Sequence, residues 1–163
     1  HGSTFAVYLP STQATLPARP PAAKTPTPAG GTETILFVED NVAVREMTAT
    51  ALASAGYTVL QAQSAEEAFE TSARHDGPID LLLTDVVMPA RNGRELADEL
   101  TTGRPDLMVL YITAYPGDPT LAGALDATHD VLEKPFGPND LLRRVRLLLD
   151  RADNRTAGTA RQA

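Results

Sequence analysis

The chain has 163 residues, a formal net charge of −7, 42% hydrophobic residues and no cysteine. That length allows one domain with a real core, and no apolar run approaches the roughly 18 residues of a membrane span, so a soluble chain without membrane contact is expected. The acidic balance argues against nucleic acid as a direct partner, and the lack of cysteine excludes disulfides, thiol catalysis and cysteine–zinc sites, in keeping with a cytoplasmic setting.

In chain order, residues 1–10 read HGSTFAVYLP, with Phe5, Val7 and Leu9 alternating at strand spacing. A lone strand has nothing to pair with, so this looks like the end of something larger. Residues 11–32 follow as a linker rich in Pro, Ala and Thr; the stretch Pro10 to Pro28 holds six of the 13 prolines and no carboxylate. All 21 acidic residues come after Thr32, where a regular pattern begins, and residues 33–150 are expected to form the folded unit.

That unit opens with the apolar run ILFVE, after which Asn41 can cap a helix carrying Val44, Met47, Ala51, Leu52 and Ala55 at helical spacing and ending at Gly56. YTVLQA predicts a second strand. Ser64 with Glu67 forms a capping-box pattern for a helix to about His75. IDLLLT is the third strand, Gly93 to about Thr102 the third helix, and LMVLYIT the fourth strand. YPGDPTLAGALDA predicts a short helix loosened by Pro116, Gly117 and Pro119. DVLE makes a fifth strand, and Pro138 starts a last helix with Leu141, Leu142, Val145, Leu148 and Leu149 on one face. Arg143, Arg144, Arg146 and Leu147 fall outside that stripe, and residues 151–163 are expected to be a disordered polar tail.

Five strands alternating with helices imply an α/β fold with a parallel sheet covered on both faces, and ligands beyond the carboxyl ends of the strands. Those ends carry Glu39 and Asp40 after strand one, Asp85 after strand three, Thr113 after strand four and Lys134 after strand five. Three converging carboxylates repel one another, and no arginine in those loops is expected to neutralise them. A hard cation such as Mg²⁺, with its all-oxygen coordination, would do so. Lys134 is the one lysine of the folded part against twelve arginines in the chain, which marks a site needing a compact ammonium. Carboxylates, a metal, a lysine and a hydroxyl together suit phosphoryl transfer. His75 and His129 read as loop or surface residues without a ligand partner nearby.

ILFVEDN, LLLTDVVMPARNG, ITA and EKPF, in this order and spacing, resemble the receiver domain of two-component response regulators over about Glu33 to Asp150. The resemblance implies a flavodoxin-like (βα)5 doubly wound sheet of strand order 2-1-3-4-5. It makes Asp85 the phosphoacceptor, Glu39, Asp40, Asp85 and the backbone carbonyl of Val87 the Mg²⁺ ligands, and Thr113 and Lys134 the contacts to the phosphoryl group. It also implies a cis Lys134–Pro135 bond. HGSTFAVYLP is similar to the last strand of the ATP-binding domain of histidine kinases, so the whole resembles the C-terminal receiver of a hybrid histidine kinase with a membrane-anchored or cytoplasmic parent. The implied partners are a histidine kinase or a histidine phosphotransfer protein, and the implied output is phosphoryl relay or control of the attached kinase. The competing reading is a degenerate receiver that docks on a kinase without being phosphorylated.

Three positions depart from the family pattern. Val131 stands where many receivers carry an aromatic three residues before the lysine. Val87 and Tyr115 flank the place where a hydrolytic water would approach; Val87 cannot orient water and Tyr115 is expected to obstruct it, which implies a long-lived phosphoaspartate.

Overall fold

Short runs of apolar residues, five or so long and bounded by turn residues, form the strands of this chain. A computed structural model describes Ala6, residues 30–114 and residues 129–159, with side chains to Ala152. The strand expected in residues 1–10, most of the linker, Tyr115 and the short helix after it lie outside the described residues. The strands are β1 Thr34–Val38, β2 Thr58–Ala62, β3 Leu81–Asp85, β4 Met108–Thr113 and β5 Asp130–Glu133. The helices are α1 Val42–Ser54, α2 Ala65–Arg74, α3 Gly93–Gly103 and α4 Pro138–Thr159. All pairings are parallel and the strand order is β2-β1-β3-β4-β5, as the resemblance implied.

β1 and β3 are buried on both faces, which is why they read as unbroken apolar runs rather than alternating ones. Successive side chains point to opposite faces and so divide between two cores. Ile35, Phe37, Leu81 and Leu83 face Leu52 of α1 and Leu141, Val145 and Leu148 of α4. Leu36, Val38 and Leu82 face Ala68 of α2 and Leu96 and Leu100 of α3. Each such leucine contributes about 1.5–3 kcal/mol by leaving water, so the central strands are fixed in register from both sides.

The helix starts follow the expected caps. Asn41 Oδ1 accepts from Val44 N at 3.2 Å, and Ser64 Oγ accepts from Glu67 N at 3.3 Å. The Glu67 carboxylate reaches back one residue further than the usual box, to Gln63 N at 2.9 Å. α1 stops at Gly56, whose φ of 100° favours glycine. The buried face of α4 is the predicted one, with Leu147 outside it.

Two expectations are corrected. Met47 is not on the buried face of α1: it is 64% exposed, and Thr48, Ala49 and Leu52 make the contact instead. The polar stretch after Asp150 is not a frayed tail from its start, because α4 continues to Thr159. Arg146 pairs with Asp150 one turn on at 2.7 Å, and Arg144 and Arg151 reach Asp130 at 2.9 and 3.4 Å, which carries the helix past its apolar stripe. Among the described residues no helix is long and apolar enough to cross a membrane.

Candidate functional site

In a parallel sheet every strand delivers its last residues to the same edge, and the register decides which of them are neighbours. Val38 is paired with Thr84, Asp85 with Ile112, and Thr113 with Glu133. Glu39 therefore emerges beside Asp85, and Lys134 emerges beside Thr113. Lys134 N donates to Thr113 O at 2.8 Å, and the Lys134–Pro135 bond that follows is cis.

The ammonium of Lys134 joins the two acids. Its Nζ donates to Glu39 Oε2 at 2.9 Å and to Asp85 Oδ2 at 2.5 Å. Glu39 is 2% exposed and Asp85 9%, so both charges are taken from water. A buried carboxylate is tolerated only when paired and hydrogen-bonded, and both conditions hold here. Burial pulls the lysine pKa down, but the hydrogen bonds and charges of Asp85 and Glu39 outweigh it, so Lys134 titrates above the ordinary lysine range and stays protonated. The lysine itself thus bridges two of the three carboxylates at the strand ends.

The second oxygen of Asp85 is also held. Oδ1 accepts from Val87 N at 3.0 Å, which bends the chain sharply after β3. Gly93 N donates to Val86 O at 3.0 Å and closes the loop, and a Cβ at Gly93 would overlap the Asp85 carbonyl oxygen. Between them Arg91 N donates to Pro89 O at 2.9 Å across Ala90, whose φ is 69°. That is a γ-turn in the left-handed region, a conformation that costs a non-glycine residue about 1–2 kcal/mol. Asn92 Oδ1 then accepts from Glu95 N at 2.9 Å and starts α3.

The remaining predicted residues are placed as follows. Thr113 ends β4 and is 1% exposed. Asp40 follows Glu39 and is exposed, and the Val87 side chain is 58% exposed on the loop after β3. Among the described residues no three His, Asp or Glu side chains are grouped closely enough to hold a metal ion. Glu39 and Asp85 are brought together through Lys134. Among the described residues the metal-ligating groups at this edge are nevertheless oxygens, from carboxylates, carbonyls and the Thr113 hydroxyl, a set that suits Mg²⁺ and not a thiophilic metal. Val131 lies in β5 and packs with Tyr111 into the α2–α3 core, and His129 meets the Tyr111 ring edge-on at 5.6 Å.

One residue at this edge was not anticipated. Arg45 Nη1 donates to Glu39 O at 2.6 Å and to Asp40 O at 3.5 Å. A signal existed: Arg45 begins four residues after the capping Asn41, near the helix N-terminus where a cation is unfavourable and no acidic residue compensates.

Residues 35–146 match the response regulator receiver domain family. The chain is 34% identical over 160 residues to the sensor kinase CckA of Brucella abortus, covering 93% of this chain and 17% of that kinase. It is 42% identical over 118 residues to the response regulator MprA of Mycobacterium leprae, covering 72% of this chain and about half, 51%, of that regulator. With the response regulator receiver protein CpdR of Brucella abortus it shares 38% identity over 117 residues, which is 71% of this chain and 95% of that protein. Among solved structures, the response regulator TrrA of Thermotoga maritima, determined in complex with Mg²⁺–BeF, is 29% identical with a TM-score of 0.59 and covers 72% of this chain and 99% of its own. Sheet order, strand-end residues and these likenesses agree, and the chain belongs to the response regulator receiver domains of two-component signalling.

Proposed function

We propose that Asp85 accepts a phosphoryl group from the phosphohistidine of a histidine kinase or histidine phosphotransfer protein. The Glu39, Asp40 and Asp85 carboxylates and the Val87 carbonyl hold Mg²⁺ in this reading. The observation that carries it is the Lys134 ammonium shared between Asp85 Oδ2 at 2.5 Å and Glu39 Oε2 at 2.9 Å, at the carboxyl edge of the sheet. A strand-end cap needs no lysine threaded between two buried acids; a site that gathers negative charge does.

In the reaction a carboxylate oxygen of Asp85 attacks phosphorus, the P–N bond to the donor imidazole breaks, and the imidazole leaves with its electron pair and is protonated. Mg²⁺, when bound, offsets the charge on the phosphoryl oxygens. Lys134 exchanges its contact with Asp85 for one with a phosphoryl oxygen, which needs little travel because its Nζ already touches the acceptor. The Thr113 hydroxyl, at the end of the adjoining strand, donates to another. The solved TrrA complex with Mg²⁺–BeF supports the choice of ion, as does the all-oxygen donor set.

The parent protein is read as a hybrid histidine kinase with this receiver at residues 33–150, a linker at 11–32 and the last strand of a kinase ATP-binding domain at 1–10. The likeness to the sensor kinase CckA supports this, since it extends over 93% of the chain and so beyond the receiver. The receiver then works on the cytoplasmic side, where kinase and phosphodonor meet it.

Intact mass after incubation with acetyl phosphate, with and without Mg²⁺ and beside Asp85→Asn, tests the reading. One added phosphoryl group that requires both Mg²⁺ and Asp85 is expected. No addition under any condition would favour a docking module that works without phosphorylation.

A further inference from the structure

Arg45 is out of place by local rules and well placed by tertiary ones. It stands in the first part of α1, where the positive end of the helix dipole disfavours a cation. What holds it is the backbone of the acidic pair. Its guanidinium donates to the carbonyl of Glu39 at 2.6 Å and lies 3.5 Å from that of Asp40. β1 ends at Val38, so both carbonyls have left the sheet ladder. The same turn is closed from the other side by Asn41 N, which donates to Glu39 Oε1 at 3.3 Å, and by Arg45 N, which donates to Asn41 O at 2.9 Å.

We propose that Arg45 is a positioning residue for the cation site: by clamping the Glu39 and Asp40 carbonyls it fixes the backbone that carries both carboxylates and so sets the affinity for Mg²⁺. The inference rests on the phosphoacceptor reading of Asp85. Groups that orient metal ligands from behind typically change metal affinity by about 10–100-fold when removed. The sign separates this from a plain charge effect, because removing a cation from the neighbourhood of a cation site tightens Mg²⁺ binding, whereas loosening its ligands weakens it.

The test is a calorimetric Mg²⁺ titration of the full chain and of Arg45→Met and Arg45→Lys, with thermal melts in EDTA to show that each variant is folded. Arg45→Met is expected to bind Mg²⁺ about tenfold more weakly. Arg45→Lys, which keeps the charge but replaces the planar guanidinium whose Nη1 is shared between the two carbonyls, is expected to fall between it and the wild type. With acetyl phosphate as donor, the half-saturating Mg²⁺ concentration should rise in Arg45→Met while the rate at saturating Mg²⁺ stays within about twofold, the pattern of lost affinity without lost chemistry. Unchanged or tighter Mg²⁺ binding in both variants would overturn the proposal. A wild-type chain that takes no phosphoryl group would instead overturn the reading of Asp85, so the two failures are distinguishable.

Discussion

Lys134 Nζ and Asp85 Oδ2 lie 2.5 Å apart, and the same ammonium reaches Glu39 at 2.9 Å, so one side chain from β5 neutralises acids from β1 and β3. Replacing it with methionine keeps the stem and leaves two buried carboxylates facing each other. Lys134→Met is expected to lower the unfolding free energy by about 2–3 kcal/mol in metal-free protein. Mg²⁺ should then raise the urea midpoint of the variant more than that of the wild type. An equal Mg²⁺ response in both would show that the lysine is not the counter-ion of this pair.

The side chain of Val87 is 58% exposed and packs against little, so changing it costs below about 0.5 kcal/mol of stability. Its amide, not its side chain, holds Asp85. Val87→Asn puts a group that can orient water beside the acyl phosphate, and severalfold faster loss of phosphate is expected when the phosphorylated chain is followed by mass. Unchanged decay would reject the role given to this position.

Ala90 sits at φ 69° in the loop after β3. Glycine adopts this conformation without penalty but loses more entropy on folding, so Ala90→Gly is expected to stabilise by about 0.5–1 kcal/mol net. A lower urea midpoint in the variant would show that the turn does not rely on a left-handed residue there.

Two glycines in α3 make opposite predictions. A Cβ at Gly93 would overlap the Asp85 carbonyl oxygen, whereas a Cβ at Gly103 meets nothing within 4 Å. Gly103→Ala should be neutral or stabilising by up to about 1 kcal/mol. Gly93→Ala should cost about 2 kcal/mol or more as α3 is pushed off the end of β3, with slower phosphorylation of Asp85. Equal urea midpoints for the two variants would contradict the close packing of α3 on that carbonyl.

Acid sensitivity should have one source at the other edge of the sheet. Burial raises the pKa of Glu33, but its backbone hydrogen bond and the Arg146 guanidinium, 2.7 Å away, outweigh this and hold it below the usual value. The unfolded chain therefore binds the proton first as pH falls, and stability from this group is complete above the ordinary glutamate range and lost as pH drops through the folded value. Urea midpoints of wild type and Glu33→Gln should differ most near neutrality and converge as pH falls through the lowered folded value. A constant gap would assign the effect to packing.

The sheet was legible because β1, β3 and β4 are apolar runs of strand length followed by polar residues, and the parallel register gathers those residues at one edge. The face of α1 was not legible: Met47 weighs heavily in an apolar count, yet the helix packs through Thr48 and Ala49, small residues that let it approach the sheet. The extension of α4 was hidden for a related reason. Its support comes from Arg144 and Arg151 reaching Asp130, a contact set by the fold and not by neighbours in the chain. For Arg45 the sequence offered only its unfavourable place near a helix N-terminus, because its partners are backbone carbonyls that leave no pattern of their own.

The clamp between Glu33 and Arg146 closes the base of the domain. Glu33 leads into β1 and Arg146 lies near the middle of α4, so the segment entering the domain and its last helix are pinned together at the amino edge of the sheet. Strands of five residues separate that edge from Asp85 by roughly 15–17 Å. The ion pair that closes the base of the domain and the rim that carries Asp85 thus lie at opposite ends of the strands, so the two charge clusters are spaced by the full depth of the sheet.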